Sequence, residues 1–285
     1  MDIFLRVLNP ILMILFGLGV GIIVARQRNV EWRVYGIGAL TFVGSQVLHI
    51  PFNLWVLNPV LLKVASSPFE DALLFISAMA LGLSAGVFEE TARYLVYRLW
   101  LKDTRTWKDA LMFGAGHGGI EAILLGVFTL FTVINLIALV GKDLTAIVPE
   151  NQIQLAQQQI EAFWALPWYG VLLGASERIF AICFHLAASV LVLQVFRRKN
   201  ILWLFGSIGL HTLLNALAVY GVQTWGPYIT ELILAVFALL CLGIVFKLKT
   251  EEPNEPSVVV DRKAEMQAPA QTLSLDIIED SKYAE

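Results

Sequence analysis

The sequence predicts an all-α fold, a polytopic membrane helix bundle of about seven transmembrane helices. The chain is 58% hydrophobic and only 15% charged, and its mean hydropathy is +0.71. Apolar runs of about 20 residues, the length that crosses a hydrocarbon core as a helix, recur along it. Because backbone polar groups in lipid must be paired within the protein, runs of this length are expected to be helical.

Seven apolar runs account for most of the chain. The first is expected to be a retained helix rather than a signal peptide, because its positively charged start is weak and no small-residue cleavage motif precedes Arg26. The third, fourth and fifth exceed the minimum length, so they are expected to tilt or to continue past the membrane surface. The predicted spans are residues 3–25, 34–57, 70–99, 107–140, 167–195, 201–223 and 227–248.

Lysine and arginine collect on one side of the predicted bundle. That side carries twelve of them: Arg26, Arg28, Arg33, Arg98, Lys102, Arg105, Lys108, Arg197, Arg198, Lys199, Lys247 and Lys249. The opposite side carries three: Arg6, Lys63 and Lys142. Because positively charged connections stay in the cytoplasm, the amino terminus is expected outside and the carboxyl terminus inside.

Two polar segments lie outside the predicted spans. Residues 141–166 form the longest external connection, and their five glutamines predict a short polar or amphipathic helix. Residues 250–285 contain nine acidic and three basic residues, so they predict a flexible acidic cytoplasmic tail after a transmembrane domain of residues 1–249. No basic patch with interleaved aromatic residues occurs, which argues against nucleic acid as a partner.

A charged cluster lies inside the third span, where Glu89 and Glu90 are followed by Arg93. Each charge at membrane depth costs about 2.5–3.5 kcal/mol on insertion scales, so such groups pair with one another or line a wet cavity. The cluster is therefore a candidate functional site. Glu89 and Arg93 are four residues apart and share a helix face, and Arg93 is expected to neutralise Glu89 or Glu90.

Polar side chains on three other spans fall at the depth of this cluster. His117, His185 and His211 each lie about ten residues from the cytoplasmic end of their span. At ~1.5 Å per residue they share a level roughly 15 Å from that end. Glu121 follows His117 by four residues and Asn215 follows His211 by four, so each pair lies on one helix face.

Other polar or sulfur-bearing groups within the spans are expected to be structural. His49 has no partner at its own depth and is expected to bond a neighbouring helix. Glu177 and Arg178 lie nearer the outer side of the fifth span and are expected to form an ion pair. Cys183 and Cys241 are interpreted as small core residues without a disulfide.

Two chemistries suit the shared level. A glutamate can act as general base on water while a histidine orients it, and a second histidine with an asparagine can stabilise the oxyanion. This chemistry needs no cofactor and is favoured. Alternatively, zinc would lower the pKa of a bound water; its ligands would be His117, His185, His211 and Glu121. No Gly-x-Ser-x-Gly elbow occurs, which argues against a serine nucleophile.

The order and common depth of these motifs resemble one superfamily of membrane proteases, the CAAX-protease and bacteriocin-processing (CPBP) proteins. PrsW and the Aph-1 subunit of γ-secretase are related to it. The motifs that carry the resemblance are Glu89-Glu90 with Arg93, Phe113-x-x-x-His117, and His211-x-x-x-Asn215. Within it, Gly-His-Gly-Gly-Ile-Glu at 116–121, and Ser176-Glu177-Arg178 followed by His185, resemble the YhfC-like branch of glutamic-type intramembrane peptidases.

The resemblance implies a role for each matching residue. Glu89 or Glu90 would activate water with His117 assisting, and His211 with Asn215 would stabilise the oxyanion. The remaining residues would support the site or bind substrate: Arg93, Glu121, His185, Glu177 and Arg178. One departure is that the CAAX-type first motif places its arginine after three intervening residues, whereas two precede Arg93. Which of the two glutamates is the base is left open, and Glu90 is a candidate because Arg93 shares a face with Glu89.

The expected function is an intramembrane endopeptidase acting near the cytoplasmic half of the bilayer, in a polar cavity open to water from the cytoplasm. Its expected location is a bacterial cytoplasmic membrane. Membrane lipid and a membrane-embedded or membrane-proximal peptide substrate are the expected partners, and the oligomeric state is left open. A zinc metallopeptidase, a non-catalytic scaffold and a proton-coupled transporter are the alternatives.

Overall fold

The computed structural model describes residues 3–66 and 72–250, and within them it is helical, with no strand. Seven spans are long and apolar enough to cross a membrane, which confirms the predicted fold class. The helices are α1 (Ile3–Arg28), α2 (Trp32–Phe52), α3 (Asn58–Ala65), α4 (Leu73–Leu99), α5 (Trp107–Ala138), α6 (Ile153–Ala165), α7 (Trp168–Val171), α8 (Leu173–Arg197), α9 (Leu202–Thr224) and α10 (Pro227–Lys247).

The largest difference from the predicted spans is in the second, which stays helical to Ala65 instead of ending at residue 57. A π-helical turn, Asn53–Leu57, joins α2 to α3. Pro59 lies in the first turn of α3, where its missing N–H removes no hydrogen bond. The predicted acidic tail lies outside the described residues from residue 251 onward.

Helix α8 is the centre of the bundle and the most buried of the seven spans. It packs against α1, α4, α5, α9 and α10, whereas α2 packs on α5 and α4 at the periphery. Any residue that α8 carries in its middle is therefore surrounded by other helices. His185 occupies such a position and is almost fully buried.

The start of α5 is fixed by a capping box. The Thr106 side chain accepts a hydrogen bond from the backbone N–H of Asp109, and the Asp109 carboxylate accepts one from the backbone N–H of Thr106. Such caps are worth about 1 kcal/mol. Trp107 then donates its indole N–H to the carbonyl oxygen of Val245 on α10 at 2.9 Å. These contacts set the depth of α5, and with it the depth of His117.

Helices α2 and α5 touch backbone to backbone within their first three turns. A Cβ atom at Gly38 would lie 2.2 Å from the carbonyl oxygen of Phe113, and one at Gly116 would lie 2.0 Å from that of Tyr35. The Tyr35 hydroxyl also donates to the carbonyl oxygen of Gly17 on α1 at 2.9 Å. Small residues at these positions are required for the close approach of the helices.

The predicted helix in the long connection is present as α6, and Arg6 of α1 holds its carboxyl end. The guanidinium donates to the carbonyl oxygens of Phe163 at 2.5 Å, Trp164 at 3.3 Å and Leu166 at 3.0 Å. It also lies 4.5 Å from the ring centroid of Phe163. A cation at the end of a helix is favourable, because the last carbonyl groups lack intrahelical partners.

Candidate functional site

A cavity of about 500 Å³ lies between α2, α4, α5, α8 and α9. We call the end of the bundle where the connections 26–33, 98–108, 197–199 and 247–249 meet the basic end. The cavity lies in the half of the bundle away from that end, because its lining falls between residues 42 and 50 on α2, 121 and 128 on α5, and 211 and 218 on α9. Apolar side chains form most of its wall.

The prediction that the cavity opens towards the basic end is wrong. Tyr97, Leu101 and Phe113 are fully buried between the site and that end, with the Tyr97 and Phe113 rings 5.0 Å apart. The Tyr97 hydroxyl donates to the carbonyl oxygen of Ser189 at 3.3 Å, and Arg105 donates to the carbonyl oxygen of Tyr97 at 2.7 Å. These large side chains close the bundle where an opening was expected.

Glu89 lies at the inner end of the cavity and lines it. Its Oε2 atom is 3.1 Å from His117 Nε2, and its Oε1 atom accepts a hydrogen bond from Gln46 at 3.0 Å. His211 Nε2 lies 3.9 Å from the same Oε2 atom. Of the two adjacent carboxylates, Glu89 is therefore the one that faces both the cavity and the histidines.

Glu90 faces the protein interior and is fully buried. It accepts hydrogen bonds from Ser207 at 2.6 Å and from His211 Nδ1 at 3.0 Å. Arg93 pairs with it at 3.4 Å. Arg93 is therefore the counter-ion of Glu90, one of the two carboxylates expected to pair with it; an i,i+3 pair on a helix is as close as an i,i+4 pair, and Glu89 is held from α2 and α5 instead.

His185 links this network to a second group of charges. Arg93 has only donors, so its contact with His185 Nδ1 at 3.2 Å makes that nitrogen an acceptor. The Nε2 proton is then donated to Glu121 at 2.6 Å. Glu121 also accepts from Arg178 at 2.7 Å. Arg178 in turn bonds Glu177, which confirms the predicted ion pair.

Three donors at the inner end of the cavity are arranged as metal ligands would be. One ligand atom each of Glu89, His117 and His185 lies within 4.8 Å of the other two, and all three residues are buried. A carboxylate with two imidazoles is a donor set that zinc accepts. His117 Nδ1 is buried and has no hydrogen-bond partner within residues 3–66 and 72–250. The residues present therefore fit a metal ion.

This set differs from the zinc ligands expected from the sequence. It contains Glu89 in place of His211 and Glu121. His211 is held by Glu90 and Glu121 is held by His185 and Arg178, so both lie beside the three donors as their partners. Outer-sphere carboxylates of this kind orient imidazole ligands in metal sites.

Asn215 lines the cavity one helical turn beyond His211. Its amide makes no hydrogen bond within the part of the chain that the structure describes. A half-buried amide without a partner in a mostly apolar wall has donor and acceptor capacity left for a ligand.

Sequence reasoning missed the role of α2. Gln46 bonds Glu89, and its side-chain oxygen lies 3.1 Å from His49 Nδ1. His49 Nε2 is 3.0 Å from the Asn53 amide, so His49, expected to bond another helix, forms its hydrogen bonds within α2 and the turn that follows it. The available signal was the spacing of Gln46, His49 and Asn53, which lie on one face of an otherwise apolar span.

Comparison with known proteins identifies the family of the chain. A family model described as "YhfC intramembrane metalloprotease" matches residues 12–238. The chain belongs to the YhfC family. Membrane protein YhfC of Bacillus subtilis is 34% identical over 246 residues, which cover 83% of this chain and 93% of that protein. No solved structure matches the chain.

Membership of the YhfC family confirms the predicted YhfC-like resemblance and the multi-pass location in a bacterial membrane. The family description supports an intramembrane protease over a scaffold or a transporter. The same description names metal chemistry, whereas the sequence favoured a glutamic mechanism. Placement in the CPBP superfamily and the orientation of the termini stay predictions.

Proposed function

We propose that this YhfC protein is a zinc-dependent intramembrane endopeptidase whose metal is held by Glu89, His117 and His185. The observation that carries the proposal is the convergence of these three buried donors at the inner end of one cavity. Catalytic zinc sites characteristically use three protein ligands and keep a fourth position for water or substrate. Zinc bound here would lower the pKa of a water to about 7 and polarise the peptide carbonyl group.

The residues around the three donors hold them in place. Gln46 donates to Glu89 and fixes the orientation of its carboxylate. Arg93 and Glu121 bracket the His185 ring from its two nitrogens. Both ring nitrogens of His185 have a partner in this structure, so metal binding would require either Arg93 to leave Nδ1 or Glu121 to leave Nε2.

The cavity wall suits a peptide taken from the membrane. Its apolar side chains, including Phe42, Leu124 and Phe180, favour an apolar segment over a polar one. Asn215 and Arg178 supply hydrogen-bond donors in the same wall, and each can bind a carbonyl oxygen of the substrate backbone. We therefore assign Asn215 to substrate binding or to stabilisation of the oxyanion.

A second candidate is the metal-free mechanism, in which a glutamate removes a proton from water. The observation in its favour is that Glu89 lines the cavity and His117 is within hydrogen-bond distance of it. In this version the base is Glu89 rather than Glu90. The carboxylate of Glu90 lies away from the cavity, and its oxygens are already bound by Ser207, His211 and Arg93.

Elemental analysis of the purified protein separates the two candidates. The zinc-dependent proposal predicts about one zinc per chain, and a marked loss of zinc in the variants Glu89→Gln, His117→Ala and His185→Ala. His49→Ala, which removes another buried histidine of the same cavity, is the matched control and should keep its zinc. Protein that cleaves a membrane peptide without bound metal, and in the presence of a chelator, would exclude the zinc mechanism.

A further inference from the structure

Helix α2 changes partners along its length. Near the basic end it packs on α5 through Gly38 and Tyr35, and the Phe42 ring lies 5.3 Å from that of His117. Beyond this level its polar and ring contacts are with α4. Gln46 bonds Glu89, the His49 ring stacks on Phe88, and Asn53 accepts a hydrogen bond from Ser84 at 2.6 Å.

Beyond the level of Phe42, cavity-lining side chains of both α2 and α5 are exposed on the bundle surface, so the cavity opens between the two helices. We call this opening the α2–α5 cleft. Its rim consists of cavity-lining apolar side chains that are exposed on the bundle surface, and their exposed fractions are 44% for Val43, 52% for Ile50, 38% for Leu125 and 62% for Phe128. These side chains lie in the membrane-spanning parts of α2 and α5, so the cleft faces lipid.

We propose that the α2–α5 cleft admits a membrane-spanning segment of a substrate protein sideways from the lipid, an inference that rests on the proposed peptidase function. The basic end is closed by Tyr97, Leu101 and Phe113, so substrate cannot reach Glu89 from that end. The apolar rim disfavours a polar soluble peptide, which would have to leave water without finding partners.

The polar groups of the cavity identify the occupant as a polypeptide rather than a lipid acyl chain. An acyl chain has no hydrogen-bonding groups, so it would leave the amide of Asn215 without a partner. A polypeptide unwound inside the membrane exposes carbonyl and N–H groups that must be satisfied there. The cavity of about 500 Å³ accommodates a few extended residues and not a complete helix, so the substrate helix would rest on the rim and unwind locally.

Site-specific photo-cross-linking in liposomes tests this entrance with a defined probe. Benzoylphenylalanine is placed at Val43 or Leu125 of the cleft, or at Leu239 of α10 as a lipid-exposed control, in the Glu89→Gln background so that binding is measured without cleavage. The probe is a fluorescent synthetic peptide with an apolar core of about 20 residues and lysines at both ends. We expect about tenfold more peptide adduct at both cleft positions than at Leu239, which corresponds to preferential binding there.

A variant that fills the cavity provides an independent measurement. Ala181→Phe adds a ring to the cavity wall and should lower the yield of cleft adducts about tenfold, whereas Val236→Phe on the exposed face of α10 should not change it. Equal adduct yields at Val43, Leu125 and Leu239 would overturn the proposal. Lipid adducts at the cleft that the peptide does not displace would overturn it as well and assign the cleft to lipid.

The cross-linking and cleavage results together distinguish a failure of the proposed entrance from a failure of the proposed peptidase activity. Cleft adducts in Glu89→Gln together with a zinc-loaded wild type that leaves the peptide intact would contradict the proposed activity and keep the cleft as a binding site. Cleavage of the peptide by the wild type without cleft adducts in Glu89→Gln would contradict the entrance alone.

Discussion

Two adjacent glutamates in this protein have different surroundings because neighbouring residues on a helix point about 100° apart. Glu89 lies at the cavity with His117 and Gln46, while Glu90 is enclosed by Arg93, Ser207 and His211. The sequence placed both carboxylates at the correct depth. It did not decide which of them faces the cavity, because that depends on the neighbouring helices and not on the spacing within α4.

Removing the side-chain amide of Gln46 tests whether it positions Glu89. Gln46→Leu keeps the volume and the apolar surroundings but leaves one carboxylate oxygen of Glu89 without its donor. Loss of an outer-shell partner lowers metal affinity or activity by about 10–100-fold, and we expect this effect in a zinc titration. Thr41→Val on the same helix removes a hydroxyl that bonds only the backbone of Ile37 and should not change zinc binding.

Glu90 and Arg93 are predicted to stabilise the fold as a pair, so the effect of substituting one of them on the free energy of unfolding should depend on whether the other is present. Arg93→Met leaves Glu90 as a buried charge with a missing partner and should lower the free energy of unfolding by about 3–5 kcal/mol. The double variant with Glu90→Gln should lose less than the sum of the two single changes. Thermal unfolding in detergent measures both, and strictly additive losses would contradict the coupling. Arg98→Met, an exposed position on the same helix, is the control.

At the level of helices, the contact between α2 and α5 depends on Gly38 and Gly116. A Cβ atom at Gly38 would lie 2.2 Å from a backbone oxygen of α5, so Gly38→Ala must push the helices apart. Overpacking of this kind costs about 1–3 kcal/mol, measured as a lower melting temperature in detergent. Gly44 of the same helix has nothing within 4 Å of its position for a Cβ atom. Gly44→Ala should therefore be neutral or slightly stabilising, and equal effects of the two changes would refute this account.

Helix α6 is predicted to depend on Arg6. Arg6→Met removes the donors to the carbonyl oxygens of Phe163, Trp164 and Leu166, so the carboxyl end of α6 should open more often. Limited proteolysis should then cut faster within residues 153–166, while Lys142→Met in the same connection serves as the control. An unchanged cleavage rate would show that other contacts hold α6.

The helix depths were predictable because the rise of a helix is fixed at ~1.5 Å per residue. Counting from span ends placed Glu89, His117, His185 and His211 at one level. In agreement, Glu89 lies 3.1 Å from His117 and 3.9 Å from His211, and the His117 and His185 rings are 4.9 Å apart. The closure of the basic end was not predictable. Tyr97 and Phe113 differ in no sequence property from lipid-facing aromatic residues, and only the packing of α4, α5 and α8 turns them inward.

For the whole molecule, the distribution of lysine and arginine predicts a carboxyl terminus in the cytoplasm. A fluorescent protein fused after Lys249 should therefore fluoresce in bacterial cells, and alkaline phosphatase fused at Lys142 should be active outside the cytoplasm. The opposite result for both fusions would invert the orientation and place the basic end outside. The contacts within the bundle would be the same in either case.

The layer of Tyr97, Leu101 and Phe113 has a bioenergetic consequence. A hydrolytic site inside a membrane must contain water, and water continuous from one surface to the other would carry protons down the electrochemical gradient. Each proton that leaked across a potential of 100 mV would dissipate about 2.3 kcal/mol. With these side chains in place, a water-containing site in this cavity would stay sealed from the basic end, and the cell would keep its proton-motive force.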